Sequence, residues 1–151
     1  MRIVIQRVKE AKVYVKEKEV SKIKKGILIL LGVFAHDTKV DADYIVKKID
    51  GIRIFEDEQE KTNLPLNPQE HELLIVSQFT LWANCEKGKR PSFTSSATYN
   101  QGKELYEYVI EKFREKGYRV KTGIFGEKMD LHIINTGPYT ILIDSKKMIK
   151  F

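Results

Sequence analysis

Five consecutive branched apolar residues, Ile27-Leu28-Ile29-Leu30-Leu31, constrain the fold of this chain more than any other feature. A strand with one wet face alternates apolar and polar side chains. An unbroken apolar run belongs to a strand covered on both faces. Leu73 to Leu81 reads as another buried strand. The chain must therefore place a sheet between two covering layers.

The remaining elements follow from periodicity. Ile3, Ile5 and Val8, then Val13 and Val15, alternate with Arg2, Gln6, Lys12 and Lys16, which predicts two strands. Val20 to Val33 begins polar and ends in the apolar run. A helix follows Thr38: Asp41 stands at capping-box spacing, and Tyr44, Ile45, Lys48, Ile49 and Ile52 recur at helical intervals. Ile52 to Phe55 is a short strand, Glu56 to Pro68 is turn-rich, and Asn84 to Ser96 is a loop. Thr98 with Gln101 predicts a second capping box, opening a helix with a stripe of Leu105, Tyr108, Val109 and Phe113 and a stop at Gly117. Three strands close the chain, around 119–121, 129–134 and 139–144. The order β-β-β-α-β-β-α-β-β-β defines an α/β (α+β) protein. Its mixed or antiparallel sheet forms a partly closed β-barrel with two flanking helices, in a single domain over 1–151.

With 151 residues, 42% hydrophobic and 32% charged, the chain is globular. No apolar stretch approaches the ~20 residues of a bilayer span. Met1-Arg2-Ile3-Val4 opens directly into strand-like sequence, so a cytoplasmic protein is expected. The single cysteine, Cys85, excludes an intramolecular disulfide and a cysteine-rich zinc site. The three histidines, His36, His71 and His132, have no close ligand partners, so neither a metal nor a cofactor is expected. Each reads as a surface or satisfied core residue. A net charge of +6 and a pI near 9.3 favour a polyanionic partner. The wealth of Lys, Glu and Ile also suits a heat-adapted source.

Two segments concentrate small polar residues where apolar runs end: Val76-Ser77-Gln78-Phe79-Thr80-Leu81 and Asn135-Thr136-Gly137-Pro138-Tyr139-Thr140. Neither holds a His, a Cys or a paired carboxylate, so any chemistry there proceeds without an ordinary acid–base pair. From the residues alone, Thr80 is a nucleophile lacking a base or a pocket hydroxyl, and Gly137-Pro138 is an ordinary turn. Arg7 is a solvated arginine. Lys87-Gly88-Lys89-Arg90 is a solvated charge cluster or a phosphate contact.

Taken together, Gln6-Arg7-Val8, Arg53-Ile54-Phe55, Ser77-Gln78-Phe79-Thr80, Lys87-Gly88-Lys89-Arg90-Pro91-Ser92-Phe93, Thr122-Gly123-Ile124-Phe125-Gly126 and Asn135-Thr136-Gly137-Pro138 resemble the D-aminoacyl-tRNA deacylase family. The match is in register from Met1 to about Asp144. The resemblance implies a homodimeric esterase that frees D-amino acids, and also glycine, from tRNA, with active sites at the subunit interface. By that resemblance Gly137-Pro138 is a cis dipeptide that enters the partner's pocket and rejects L side chains, and Arg7, Asn135 and Thr140 support it. Ser77, Gln78, Phe79 and Thr80 form the catalytic wall, with main-chain N–H groups near Phe79 and Thr80 facing the oxyanion. The 2′-OH of the terminal ribose assists the attack. Phe125 and Met129 line the pocket, and Lys87, Lys89 and Arg90 meet the acceptor end. Lys146, Lys147 and Lys150 are expected to be solubilising.

The last motif departs from the common Asn-Asp-Gly-Pro-Val-Thr by carrying Thr136 and Tyr139. Thr136 is expected to keep a local turn bond. The competing functions are a non-catalytic tRNA-binding module and a Thr80-nucleophile esterase.

Overall fold

The computed structural model describes residues 1–147; Lys150 lies outside them. Its central strand, β1 (Arg2–Val15), is one strand of 14 residues where the alternation predicts two. The phase change is a bulge: Val8 faces Asn135, while Glu10, two residues on, faces Ile134. One extra residue turns every later side chain over. Ile3 and Ile5 therefore point to one layer, and Ala11 and Val13 to the other.

β2 (Lys18–Ile23) and β3 (Gly26–Gly32) follow each other antiparallel along one edge of β1. β8 (Asp130–Asp144) occupies the other edge and is a single strand of 15 residues, not the expected pair. β6 (Glu72–Ser77) lies parallel to β3, and β7 (Arg119–Thr122) parallel to β6. β2 also approaches β6 and β7, which curls the sheet into a partly closed barrel. The turn-rich stretch contains an additional strand: β4 (Arg53–Glu56) and β5 (Thr62–Pro65) pair as a separate hairpin.

The apolar runs behave as their composition requires. Ile27, Ile29 and Leu31 of β3, with Leu73 and Ile75 of β6, pack under both helices, α1 (Lys39–Ile49) and α2 (Tyr99–Glu115). Their neighbours Leu28, Leu74 and Val76 face a second cluster on the opposite side, with Val8, Ala11, Val13 and Ile23. The mixed α/β architecture with two helices is the one expected.

The caps differ. The Thr38 backbone N–H donates to Asp41 at 2.9 Å, as a capping box requires. At α2 only half of the box forms. Thr98 Oγ1 accepts from the Gln101 N–H at 3.4 Å, but the Gln101 amide donates to the Ala35 and Asp37 carbonyls. That diversion ties the start of α2 to the loop before α1.

Candidate active site

β6 ends at Ser77, earlier than the expected strand to Leu81, and the chain turns at once into a short 3₁₀ helix, Phe79–Trp82. Three contacts hold that turn. The Gln78 N–H donates to the Leu31 carbonyl at 2.8 Å, and the Trp82 indole N–H to the Gly32 carbonyl at 3.0 Å. Arg2 donates to the Leu81 carbonyl at 2.8 Å, lies over the Trp82 ring and is paired with Asp144. A strand end in the rigid sheet thus presents Ser77, Gln78 and Phe79 to one side.

They form a wall of a cavity of about 420 Å³, within the range of small-ligand sites. Phe125 and Met129 line it, and α2 supplies Tyr99 and Gly102. The Tyr106 hydroxyl donates to the Ile75 carbonyl at 2.7 Å, fixing α2 against β6 two residues before Ser77. Burial pushes that hydroxyl's pKa upward. The lining is mostly apolar, and its one carboxylate, Glu127, is exposed.

Thr80 is absent from the lining, and its hydroxyl accepts from the Gln78 side-chain amide. No histidine reaches the cavity. His36 and His132 are exposed. His71 is buried under the β4 hairpin, stacked on Phe55 with its Nδ1 accepting from the Asn67 N–H at 3.0 Å. Its Nε2 has no partner among the described residues, so it is not a fully satisfied core histidine. Burial pushes its pKa down.

The second segment lies elsewhere. Between Asn135, opposite Val8, and Thr140, opposite Gln6, β8 sets Thr136 to Tyr139 against Arg7 alone. This stretch leaves the ladder as an excursion, with Gly137 and Pro138 exposed. The expected cis bond is not found: the Gly137–Pro138 peptide is trans. The excursion turns instead at Gly137, whose φ of +116° is open to glycine at little cost.

Arg7 holds the excursion of its own chain. It is 5% exposed and donates to the Thr136 carbonyl at 3.1 Å, the Ile54 carbonyl at 2.6 Å and Glu56 at 3.0 Å. It also lies 5.0 Å from the Tyr139 ring centre, which gives that ring a cationic neighbour. The Thr140 hydroxyl accepts from the Gln6 amide at 3.3 Å. The Thr136 hydroxyl is buried with no partner among the described residues, contrary to the expected turn bond. No residue from 135–140 lines the cavity. From Ser77 the ladder runs through Leu31 to Ile3, four residues and one strand short of the excursion. Over the sheet that separates the two segments by roughly 20 Å.

Lys87, Lys89 and Arg90 are exposed on a loop closed by a two-way pair between Asn84 and Ser92, at 2.8 and 2.9 Å. Lys147 is exposed, but Lys146 is not merely solubilising: it bridges Asp41 at 2.9 Å. Tyr99, Gly102 and Glu127 were not singled out from the sequence. A glycine in the first turns of a helix, where it has poor propensity, is a signal for Gly102 alone.

Fold and site define a small α/β barrel with an apolar pocket at the end of a parallel strand, walled by main chain and hydroxyl or amide side chains. The chain matches the family described as D-Tyr-tRNA(Tyr) deacylase over residues 4–144, and it belongs to that family. It is 51% identical over 148 residues to a D-aminoacyl-tRNA deacylase of Thermotoga petrophila, covering 98% of this chain and 99% of the relative. One from Thermosipho melanesiensis is 50% identical over 149 residues, with 98% and 99% covered. Among solved structures, a c-Myc DNA unwinding element binding protein superposes with a TM-score of 0.88 at 38% identity, over 95% of this chain and 98% of that one. A probable eukaryotic D-amino acid tRNA deacylase, at 20% identity and a TM-score of 0.78, covers 94% and 97% and shares the fold.

Proposed function

We propose that this protein hydrolyses the ester bond of D-aminoacyl-tRNA, releasing free D-amino acid and tRNA. The observation that carries the reading is the cavity behind Ser77, Gln78 and Phe79, in a chain half identical to deacylases over nearly its whole length. Such a cavity holds an aminoacyl ester but offers no nucleophile–base pair.

The mechanism therefore assigns the chemistry to the substrate. The 2′-OH of the terminal ribose, adjacent to the ester, positions or activates the attacking water. The protein contributes a near-attack geometry. The amides that begin the 3₁₀ helix have no partner within it, and those near Phe79 and Thr80 face the developing oxyanion. Ser77 and Gln78 position the ester.

Chirality is read by exclusion. The exposed Gly137–Pro138 excursion of a second copy, its peptide trans as described above, closes the open side of the pocket and leaves room for a D but not an L substituent. Supporting this homodimer are the remoteness of the excursion from its own pocket and the exposure of Ile134, 54%, on the same strand. Glycine has no side chain to exclude and passes the filter. Lys87, Lys89 and Arg90 take the acceptor-end phosphates, as the basic pI favours. No helix of the described residues is long and apolar enough to cross a membrane, and a substrate made during translation places the activity in the cytoplasm.

The test compares hydrolysis of D- and L-aminoacyl-tRNA, and of D-aminoacyl-tRNA ending in 2′-deoxyadenosine, in the presence of a chelator. The D ester is expected to be cleaved, and the L and deoxy substrates to resist. Equal cleavage of D and L esters, or none, refutes the reading.

A further inference from the structure

Phe79 is 57% exposed, although it begins the wall of the pocket. Its ring meets Phe93 edge to face, with centroids 5.1 Å apart and planes at 73°. The Ser96 hydroxyl donates to the Phe79 carbonyl at 3.1 Å, holding the backbone beneath the pair. Phe93 also follows directly on Ser92, one half of the Asn84–Ser92 pair that closes the basic loop. Three features thus lie in sequence along one surface: the pocket, an aromatic pair at its mouth, and a loop with Lys87, Lys89 and Arg90 against one acid, Glu86.

An aromatic pair with one exposed and one half-buried ring, between a cavity and a cationic loop, is suited to single-stranded nucleic acid. Aromatic faces stack bases without regard to sequence, while flanking cations track the backbone. When the terminal aminoacyl nucleotide enters the pocket, Phe79 is the exposed lining residue on the side of the cationic loop, where the next nucleotide's phosphate finds its cations. We propose that the Phe79–Phe93 pair is a stacking platform for the base of the penultimate nucleotide, which hands its phosphates to Lys87, Lys89 and Arg90. The proposal deepens the deacylase reading and rests on it for the identity of the strand. It adds Phe93 as a substrate-binding residue.

The experiment measures KM and kcat of Phe93→Ala and Phe93→Trp on two substrates. One is D-aminoacyl-tRNA; the other is D-aminoacyl-adenosine, which has the same ester and no penultimate base. Phe93→Ala is expected to raise KM for the tRNA by about ten-fold or more, the scale of one lost base stack, with little change in kcat. Phe93→Trp restores the native KM, and both variants treat the adenosine ester as the native protein does. Equal effects on both substrates, or no effect on either, overturn the platform. So does dissociation of the protein by Phe93→Ala in sedimentation, which would make the pair a contact between copies.

A second arm does not depend on turnover. The native protein and Phe93→Ala are titrated with 5′-CCA-3′ and with the same trinucleotide lacking its middle base. Native affinity should fall when the base is removed, and the Phe93→Ala protein should not distinguish the two ligands. A native protein that binds both alike refutes stacking. A native protein that separates them but hydrolyses no D-aminoacyl-tRNA refutes the deacylase reading and leaves the platform standing.

Discussion

Replacing Arg7 by Met should cost this protein more than any other single change of a charged residue near the excursion. The guanidinium is 5% exposed and satisfies the carbonyls of Ile54 and Thr136, so methionine fills the volume and leaves both acceptors unpaired. The buried Ile54 acceptor, left orphaned, costs about 1–3 kcal/mol, and the part-buried Thr136 acceptor costs less. Glu56 is half exposed and rehydrates, so its pair with Arg7 adds at most about 1 kcal/mol. The sum is about 3 kcal/mol, a large share of the roughly 5–15 kcal/mol typical of a domain. At this chain length each kcal/mol lowers the Tm by about 2–4 °C, so a fall on the order of 10 °C is expected. Arg7→Lys should recover only part of it, because one ammonium cannot span three acceptors on two strands. Urea unfolding followed by circular dichroism, at several protein concentrations, separates this loss from subunit dissociation. A loss below about 1 kcal/mol for Arg7→Met would show that water replaces the guanidinium, and that Arg7 does not hold the excursion.

Thr80→Ala should retain kcat within about ten-fold, whereas loss of a true nucleophile in a serine hydrolase costs on the order of a million-fold. Single-turnover kinetics on D-aminoacyl-tRNA distinguish the two, and a collapse of turnover would restore Thr80 as the nucleophile. Burial alone raises the Asp41 carboxyl, but bonds from Lys146, the Thr38 N–H and Ser145 outweigh it and bring the pKa from 3.8 to about 2. A depressed carboxyl stabilises the fold fully above its unfolded pKa and loses that contribution as pH falls through the folded value. About 2 kcal/mol should therefore vanish between pH 5 and 2, and Asp41→Asn should flatten that part of the profile. An unchanged acid slope in Asp41→Asn refutes the assignment. Gly102→Ala sets a Cβ 3.3 Å from the Phe125 ring, so the ring, which also lines the pocket, must shift by a few tenths of an ångström. Stability should hold or rise, since alanine favours the helix by about 1 kcal/mol, while KM rises for bulky D-amino acids and little for glycine.

What the sequence made legible was whatever one strand or helix decides by itself. The run at Ile27–Leu31 is sandwiched as its composition demands, and Thr38 and Asp41 cap α1. Strand count around the bulge was not legible. An inserted residue in β1 reverses the alternation without stopping the strand, so Val8 and Val13 read as belonging to different elements. The Gln101 amide is illegible for a related reason: its partners, the Ala35 and Asp37 carbonyls, are more than sixty residues away. Ser77 and Gln78 stood out because a strand end is a local signal. Tyr99 and Gly102 reach the same cavity only through the packing of α2 on β6. Thr136, just before Gly137–Pro138, is held by Arg7, which no local pattern connects to it.

The separation of the pocket from the excursion makes a shared site testable by complementation. In an isologous dimer each pocket faces the partner's excursion, and the relation is reciprocal. One chain can be disabled in its pocket by Gly102→Leu, whose side chain would invade the space beside Phe125. Another can be disabled in its excursion by Gly137→Val, since even a Cβ there lies 2.5 Å from the Arg7 guanidinium and φ is +116°. Each homodimer should then fail to discriminate or to turn over. When the two chains are unfolded and refolded together in equal amounts, half of the dimers are mixed. Each mixed dimer pairs the intact pocket of the Gly137→Val chain with the intact excursion of the Gly102→Leu chain, and its other site is doubly disabled. About a quarter of all sites are thereby whole, so about a quarter of native D-selective activity should return. If each chain carried a complete site, mixing would restore nothing, because every chain present would be defective.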